Sequence, residues 1–251
     1  MRWLAALLLV PAAAHAGETL DGIRARGTLR VGTTGDYQPF TTRSPDGQYS
    51  GADITMAGRL AARLGVGVTY VPTVWAKLLP DMQAGAFDIA MGGVSVTPAR
   101  AAVASFSTVT YVDGKRPVVR CADRDRFISV VAIDQPGVRV VVNPGASNEA
   151  FAREHVHQAQ LTIHPDNSTV FEEIRAGRAD VMVTDGIEVD HQALVHPDLC
   201  AARVPAAFTR LEKAYMLPRD PELLGIVNAW LADEVASGAW PQILDVAQRT
   251  P

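Results

Sequence analysis

Two short stretches concentrate the side chains that could act on a small acidic ligand. The first is Gly92-Gly93-Val94-Ser95-Val96-Thr97-Pro98-Ala99-Arg100. A run ending in Gly-Gly lets the backbone approach a ligand closely, Ser95 and Thr97 offer hydroxyls, and Arg100 offers a planar fork that grips a carboxylate through two parallel hydrogen bonds. The second is Thr184-Asp185-Gly186-Ile187-Glu188, which places two carboxyls immediately after an extended run. A carboxylic acid donates a proton at neutral pH only when desolvation or neighbouring negative charge raises its pKa; taken alone, a Glu here is an ordinary first-turn helix residue favoured by the dipole. Asp185 reads equally as a buried cap of the helix that follows. Asn148, after Asn143-Pro144-Gly145, stands where a helix would begin and either caps it or orients an anion beside free backbone N–H groups. Tyr37 and Trp75 are candidate apolar walls, and Lys213 a candidate positive charge for an anionic ligand.

Other chemistries find little support. His155 and His157 are two apart and point to different faces of a helix, while His191 and His196 lack the i, i+4 relation of zinc-binding helices. No glycine-rich loop has phosphate-binding spacing and no serine sits in a G-x-S-x-G elbow. Neither a metal site nor a cofactor is expected. The formal net charge of −4 provides no basic field for nucleic acid, and 48% hydrophobic residues is the composition of a globular protein.

The N-terminus reads as an export signal. Arg2 precedes an apolar run over residues 4–10, and Ala14-His15-Ala16 supplies a small-residue cleavage site after Pro11. The apolar run is far shorter than the roughly 20 residues that cross a bilayer, and no later segment is long and apolar enough, so no membrane span is expected after cleavage. The expected location is the periplasm. An exported chain with only two cysteines, Cys121 and Cys200, is most simply read as carrying one disulfide.

The elements that must position these residues alternate. Extended runs over 28–32, 67–71, 88–91, 138–142, 161–164 and 180–184 are separated by helical patterns over 54–64, 75–84, 147–156 and 170–176, with a last helical region from Pro221. This is an α/β chain. Two polar, extended stretches, 111–117 and 209–214, have the composition of crossings between lobes. If they are, residues 17–113 with 211–251 form one lobe and 114–210 the other, with both cysteines in the second. Strands of open α/β sheets present ligands at their carboxyl ends, so two such lobes face their loops into one cleft.

The segments Thr33-Thr34-Gly35-Asp36-Tyr37-Gln38-Pro39-Phe40, Gly51-Ala52-Asp53 and Gly92 through Arg100 resemble the family 3 periplasmic solute-binding proteins for polar amino acids. The resemblance implies a type II periplasmic binding protein, two α/β lobes joined by two hinge crossings, in which Arg100 holds a ligand α-carboxylate and Asp185 meets an ammonium group. Further stretches, Ile133-Asp134-Gln135-Pro136-Gly137, Asn143-Pro144-Gly145-Ala146-Ser147-Asn148-Glu149, Thr184-Asp185-Gly186-Ile187-Glu188 and Glu212-Lys213-Ala214-Tyr215, are similar to a catalytic branch of that family. Its members are dehydratases of cyclohexadienyl carboxylates, prephenate and L-arogenate, that need no cofactor. On that likeness Glu188 is the general acid, assisted by Asn148, while Tyr37, Trp75, Gly93, Ser95, Thr97, Arg100, Asp185 and Lys213 bind the substrate. The bulk of Ile187 beside the acid leaves the shape of the pocket, and with it the substrate preference, open. The alternative within the same family is a non-catalytic amino-acid receptor that delivers its ligand to an ABC permease; it keeps Arg100 and Asp185 but has no use for Glu188.

Overall fold

The computed structural model describes residues 18–145 and 147–250; the export signal expected over residues 1–16 lies outside them. Two five-stranded sheets carry the architecture. In the first the order is Gly67–Pro72, Thr28–Thr33, Ile89–Ala90, Met216–Leu217, Ser105–Phe106, with the first three parallel and the last two antiparallel to their neighbours. In the second it is Gln160–Ile163, Arg139–Val142, Val181–Asp185, Lys115–Arg120, Leu199–Ala201, again three parallel strands followed by two antiparallel ones. Central strands buried on both faces lose their alternation. Val181–Asp185 is accordingly buried along its whole length, and Arg139–Val142 ends in three buried valines.

Helices cover these sheets and take their bounds from their end residues. Ala52–Leu64 buries Ala52, Ile54, Met56, Ala57, Leu60 and Ala61, and it stops at Gly65, whose left-handed φ of 71° lets its N–H reach the carbonyls of Ala61 and Ala62. Pro221–Ala236 begins on Asp220, which accepts from the N–H groups of Glu222 and Leu223, with Pro221 at the first turn. The helix expected over 75–84 starts only at Leu78. Residues 74–77 form a turn closed by the Lys77 N–H on the Val74 carbonyl at 2.8 Å, and the Trp75 indole N–H donates to Asp36 Oδ1 at 3.0 Å.

The two lobes are joined where Tyr111–Asp113 pairs antiparallel with Leu211–Lys213. At Gly114 a Cβ would lie 2.0 Å from the Thr209 carbonyl oxygen, so the close approach of the two connections requires glycine. Cys121 and Cys200 form a disulfide with Cα atoms 4.8 Å apart and 79 residues of separation, tying the edge strand of the second sheet to its neighbour. The last helix, Ala239–Arg249, packs on Ala52–Leu64 and Pro221–Ala236 but also on Gly186–Val195, the helix that follows the central strand of the other sheet.

Candidate active site

Parallel strands deliver their carboxyl ends to the space between the lobes. Ile89–Ala90 leads into Gly92 and Gly93, Arg139–Val142 into Asn143, and Val181–Asp185 ends on the acid itself. Tyr37, Trp75, Gly93, Ser95 and Arg100 on one side face Asn148 and Asp185 on the other, and Lys213 enters from the crossing. The cavity they leave is only about 20 Å³. Grooves of about 470 and 620 Å³ flank the last helix, but they lack this convergence of cations and carboxyls. The cleft is closed and filled by its own side chains. The Asn167 amide donates to the Asp36 carbonyl across it at 2.7 Å, and a Cβ at Gly145 would stand 2.5 Å from that of Ala76.

Asp185 is the hub. Lys115 Nζ donates to its Oδ1 at 2.7 Å, while Lys213 Nζ and the Tyr37 hydroxyl, the latter at 2.5 Å, donate to its Oδ2. Burial opposes the ionised form, but the ammonium groups of Lys213 and Lys115 more than offset it and hold the carboxyl well below the usual carboxylate range. Burial in turn lowers the pKa of Lys115, with Asp185 working against that shift. Although Asp185 occupies the cap position of Gly186–Val195, its side chain makes no cap bond. Every one of its contacts faces the cleft.

A second chain of hydrogen bonds leads to Glu188. Lys115 Nζ also donates to Ser147 Oγ at 3.0 Å and to Asn148 Oδ1; Asn148 Nδ2 donates to Asn143 Oδ1 and to Thr184 Oγ1, both at 3.0 Å; and the Thr184 hydroxyl donates to Glu188 Oε2. Glu188 is 1% exposed and is not in the cavity lining; Thr184 links it to Asn148, which is. Burial pushes its pKa up to about 8, and the nearby Asp185 carboxylate adds to the rise against the opposing pull of Thr184 and the two lysines. At neutral pH it therefore keeps its proton.

Arg100 is 8% exposed, donates from Nη1 to the Ser95 carbonyl at 3.0 Å, and lies 6.0 Å from the centre of the Trp75 ring. Among the described residues no carboxylate pairs with it, and burial lowers its pKa to about 10. A buried guanidinium without an anion is costly, so the position suits an incoming carboxylate. Three buried cations, Lys115, Lys213 and Arg100, thus converge on a cavity whose lining includes one carboxylate, Asp185; the Asp53 carboxyl, on the Gly92 and Gly93 N–H groups, and that of Asp36, on the Trp75 indole, lie behind the lining.

Several sequence-derived expectations meet a different geometry. Thr97 does not line the cavity; its Oγ1 accepts the Arg100 N–H at 3.3 Å and starts the short helix Pro98–Ala101. Ile187 points away from the cavity into the core packed on the first sheet, so its bulk does not shape the pocket. Lys115, Asn143 and Asn167 belong to the site and were not singled out in the sequence. Lys115 had a signal: it follows Gly114 inside a predicted crossing, the same setting that drew attention to Lys213. The two asparagines had none, because amides on loops are common and only tertiary packing brings them together.

Residues 29–246 match the bacterial extracellular solute-binding proteins, family 3. The chain is 45% identical to a cyclohexadienyl dehydratase of Pseudomonas aeruginosa over 95% of its length and 89% of that protein's. It is 28% identical to the L-cystine-binding protein TcyJ of Escherichia coli, over 87% of this chain and 82% of the relative. Among solved structures, an ancestral amino acid-binding protein that is a precursor of cyclohexadienyl dehydratase superposes with a TM-score of 0.84 at 36% identity, covering 91% of this chain and 98% of its own. An ancestral cyclohexadienyl dehydratase, 49% identical, gives a TM-score of 0.58 over 95% of this chain and 98% of its own.

Proposed function

The chain belongs to the bacterial extracellular solute-binding proteins of family 3, and on that premise we propose that it is a dehydratase of cyclohexadienyl carboxylates. It converts prephenate to phenylpyruvate and L-arogenate to L-phenylalanine. The observation that carries this reading is the fully buried Glu188 carboxyl, which keeps its proton to about pH 8 behind a cluster of buried cations. A receptor has no use for such a group. The identity with a named dehydratase supports the same conclusion.

The reaction needs little covalent assistance. Protonation of the ring hydroxyl lets it leave as water; the electron pair of the bond between the ring and its carboxylate then enters the ring, carbon dioxide departs, and the ring becomes aromatic. For prephenate, the dianion and one proton give phenylpyruvate, carbon dioxide and water. Glu188 supplies that proton, Arg100 binds one carboxylate through its fork, and Lys115 and Lys213 match the remaining negative charge. Tyr37 and Trp75 wall the ring and exclude water. Asn148, already bonded to Lys115 and Thr184, orients the hydroxyl's surroundings. Thr97 acts through Arg100, by holding the turn that carries it, and Gly93 and Ser95 supply close backbone and a hydroxyl.

The closed cleft is too small for the substrate, so the lobes must open to admit it. The contrast between 49% identity and a TM-score of 0.58 supports this, because lobes that similar share a fold and differ most economically in their relative angle. On entry the substrate carboxylates draw Lys115 and Lys213 from Asp185 and uncover the path from Glu188 to the ring. The lobe boundaries we assign are 17–113 with 211–251 and 114–210. The protein is exported to the periplasm on its N-terminal signal and acts there on a small molecule, with no nucleic-acid partner.

The receptor reading keeps some support from the binding-protein relatives. Asp185, held here by two lysines and a tyrosine, does not separate the two readings, because an amino acid and L-arogenate both carry an ammonium. Turnover decides: Glu188→Gln should bind phenylpyruvate as the natural protein does yet form no product from prephenate. Product formation by that variant at the natural rate would remove Glu188 from the mechanism.

A further inference from the structure

The helix that carries Glu188 lacks a cap of its own. Asp185 stands at its cap position with its side chain committed to Lys115, Lys213 and Tyr37, so the first N–H groups of Gly186–Val195 turn to other acceptors. The Gly114 carbonyl takes the Gly186 N–H at 2.9 Å, and a side-chain acceptor comes from 73 residues away. Asp113, the last residue of the crossing strand Tyr111–Asp113, takes the Gly186 N–H on Oδ1 at 3.1 Å and the Ile187 N–H on Oδ2 at 3.0 Å, and its Oδ1 also accepts the Gly114 N–H at 2.7 Å. The sequence makes room for this: a Cβ at residue 186 would stand 2.8 Å from Asp113 Oδ1, so Gly186 is the residue that admits the carboxylate.

The placement ties the helix start to the hinge. Asp113 is paired with Leu211 across the two crossings, the segment that must rotate when the lobes move. The same helix end is held from the other lobe as well, where Gln248 Nε2 donates to the Ile187 carbonyl at 3.0 Å and the Ile187 side chain is buried in the core of the first sheet. Glu188 is the next residue.

We propose that Asp113 is a positioning residue that caps the Glu188 helix in trans from the inter-lobe crossing, and so couples the alignment of the acid to the angle between the lobes. The inference rests on the reading of Glu188 as the proton donor. A carboxylate at a helix start also compensates the positive end of the helix, whose field falls on the first turn and therefore on Glu188. The other charged and titratable groups that face Glu188 are Asp185, Lys115, Lys213 and Tyr37, and those around Asp113 are Asp185, Lys213, Tyr111 and Arg116, the last paired with Asp190 at 2.9 Å. Removing the negative charge of Asp113 from this set makes Glu188 release its proton more easily.

The test compares Asp113→Asn and Asp113→Ala with the natural protein in two readouts. In turnover of prephenate, Asp113→Ala should lower kcat by about 10-fold with KM within about 3-fold, as expected for misplacement of an acid rather than loss of binding. Asp113→Asn, which keeps an acceptor oxygen but not the charge, should recover part of kcat. In both variants the alkaline limb of the kcat profile should move to lower pH by about half a unit. Carbon NMR titration of the Glu188 carboxyl in the free protein reads the same shift without catalysis. If the natural protein shows no turnover at all, the dehydratase reading fails, and the NMR titration still judges Asp113. An unmoved Glu188 titration in Asp113→Asn, or kcat and pH profile unchanged in a folded Asp113→Ala, overturns the proposal.

Discussion

Glu188→Gln should make the protein more stable while destroying its activity, and the gain should depend on pH in a way that only a buried acid explains. An ordinary glutamate titrates at 4.5, whereas burial pushes Glu188 up to about 8. Because the pKa is raised in the folded state, the group favours folding fully only below about pH 4.5. That contribution is lost progressively as pH rises toward 8, where the folded state too must ionise. Relative to a group that never ionises, the linkage costs the native protein roughly 1 kcal/mol at pH 5 and roughly 3 kcal/mol at pH 7. These are ceilings, since the amide introduced by the substitution must also accept the Thr184 hydroxyl in the place of Glu188 Oε2. Urea unfolding of both proteins at the two pH values measures the difference directly. The variant should gain on the natural protein by about 2 kcal/mol between pH 5 and pH 7. Over the same range its kcat should lie about 100- to 10,000-fold below that of the natural protein, the usual contribution of a general acid, with KM much less affected. Stability curves that run parallel with pH would show that Glu188 titrates as an ordinary exposed glutamate, and the assignment of the acid would go with them.

Arg100→Lys should cost roughly 1.5 to 3 kcal/mol of ligand binding, because a point charge cannot replace a two-pronged contact; calorimetry with phenylpyruvate giving the natural affinity would place Arg100 outside the site. Lys115→Met removes one of the two ammoniums on Asp185 and with it one positive charge from the site, so kcat/KM should fall more for dianionic prephenate than for arogenate, which brings its own ammonium. We expect the ratio of the two to shift toward arogenate by about 10-fold, on the order of one charge-assisted contact, and an unchanged ratio would contradict the charge matching described above. Reducing the Cys121–Cys200 disulfide opens a loop of 79 residues, which in the chain-entropy model removes about 4 to 5 kcal/mol of stability. A folded, reduced protein with the midpoint of the oxidised one in urea would show that the bridge is not a stabilising closure.

How much of this was legible in the sequence varies with the reach of each signal. The three parallel strands of each sheet were readable because buried runs such as Val140-Val141-Val142 carry their own pattern. Two- and three-residue strands such as Asp36–Tyr37, Ser105–Phe106 and Met216–Leu217 are too short to carry one, and their pairing partners are remote. Arg100 and Glu188 were visible through the motifs around them, yet the environment that gives Glu188 its retained proton comes from burial and from Asp185 together, which only the fold assembles. Lys115 illustrates the limit: a lysine in a polar crossing looks like a solvated residue until the strand Lys115–Arg120 turns it inward to 1% exposure. Ile187, whose effect on the pocket the sequence leaves open, is settled by the same packing. Adjacent to the acid in sequence, it is turned by helical geometry onto a different face and buried in the other lobe's core.

Catalysis by this binding-protein fold is decided by incubating the purified mature protein with prephenate at neutral pH and following the appearance of phenylpyruvate. Multiple turnovers are expected, with one carbon dioxide released for each phenylpyruvate formed, and their loss in Glu188→Gln. No phenylpyruvate from prephenate and no phenylalanine from arogenate, in a folded protein that binds a polar amino acid tightly, would contradict it and leave the receptor reading in its place.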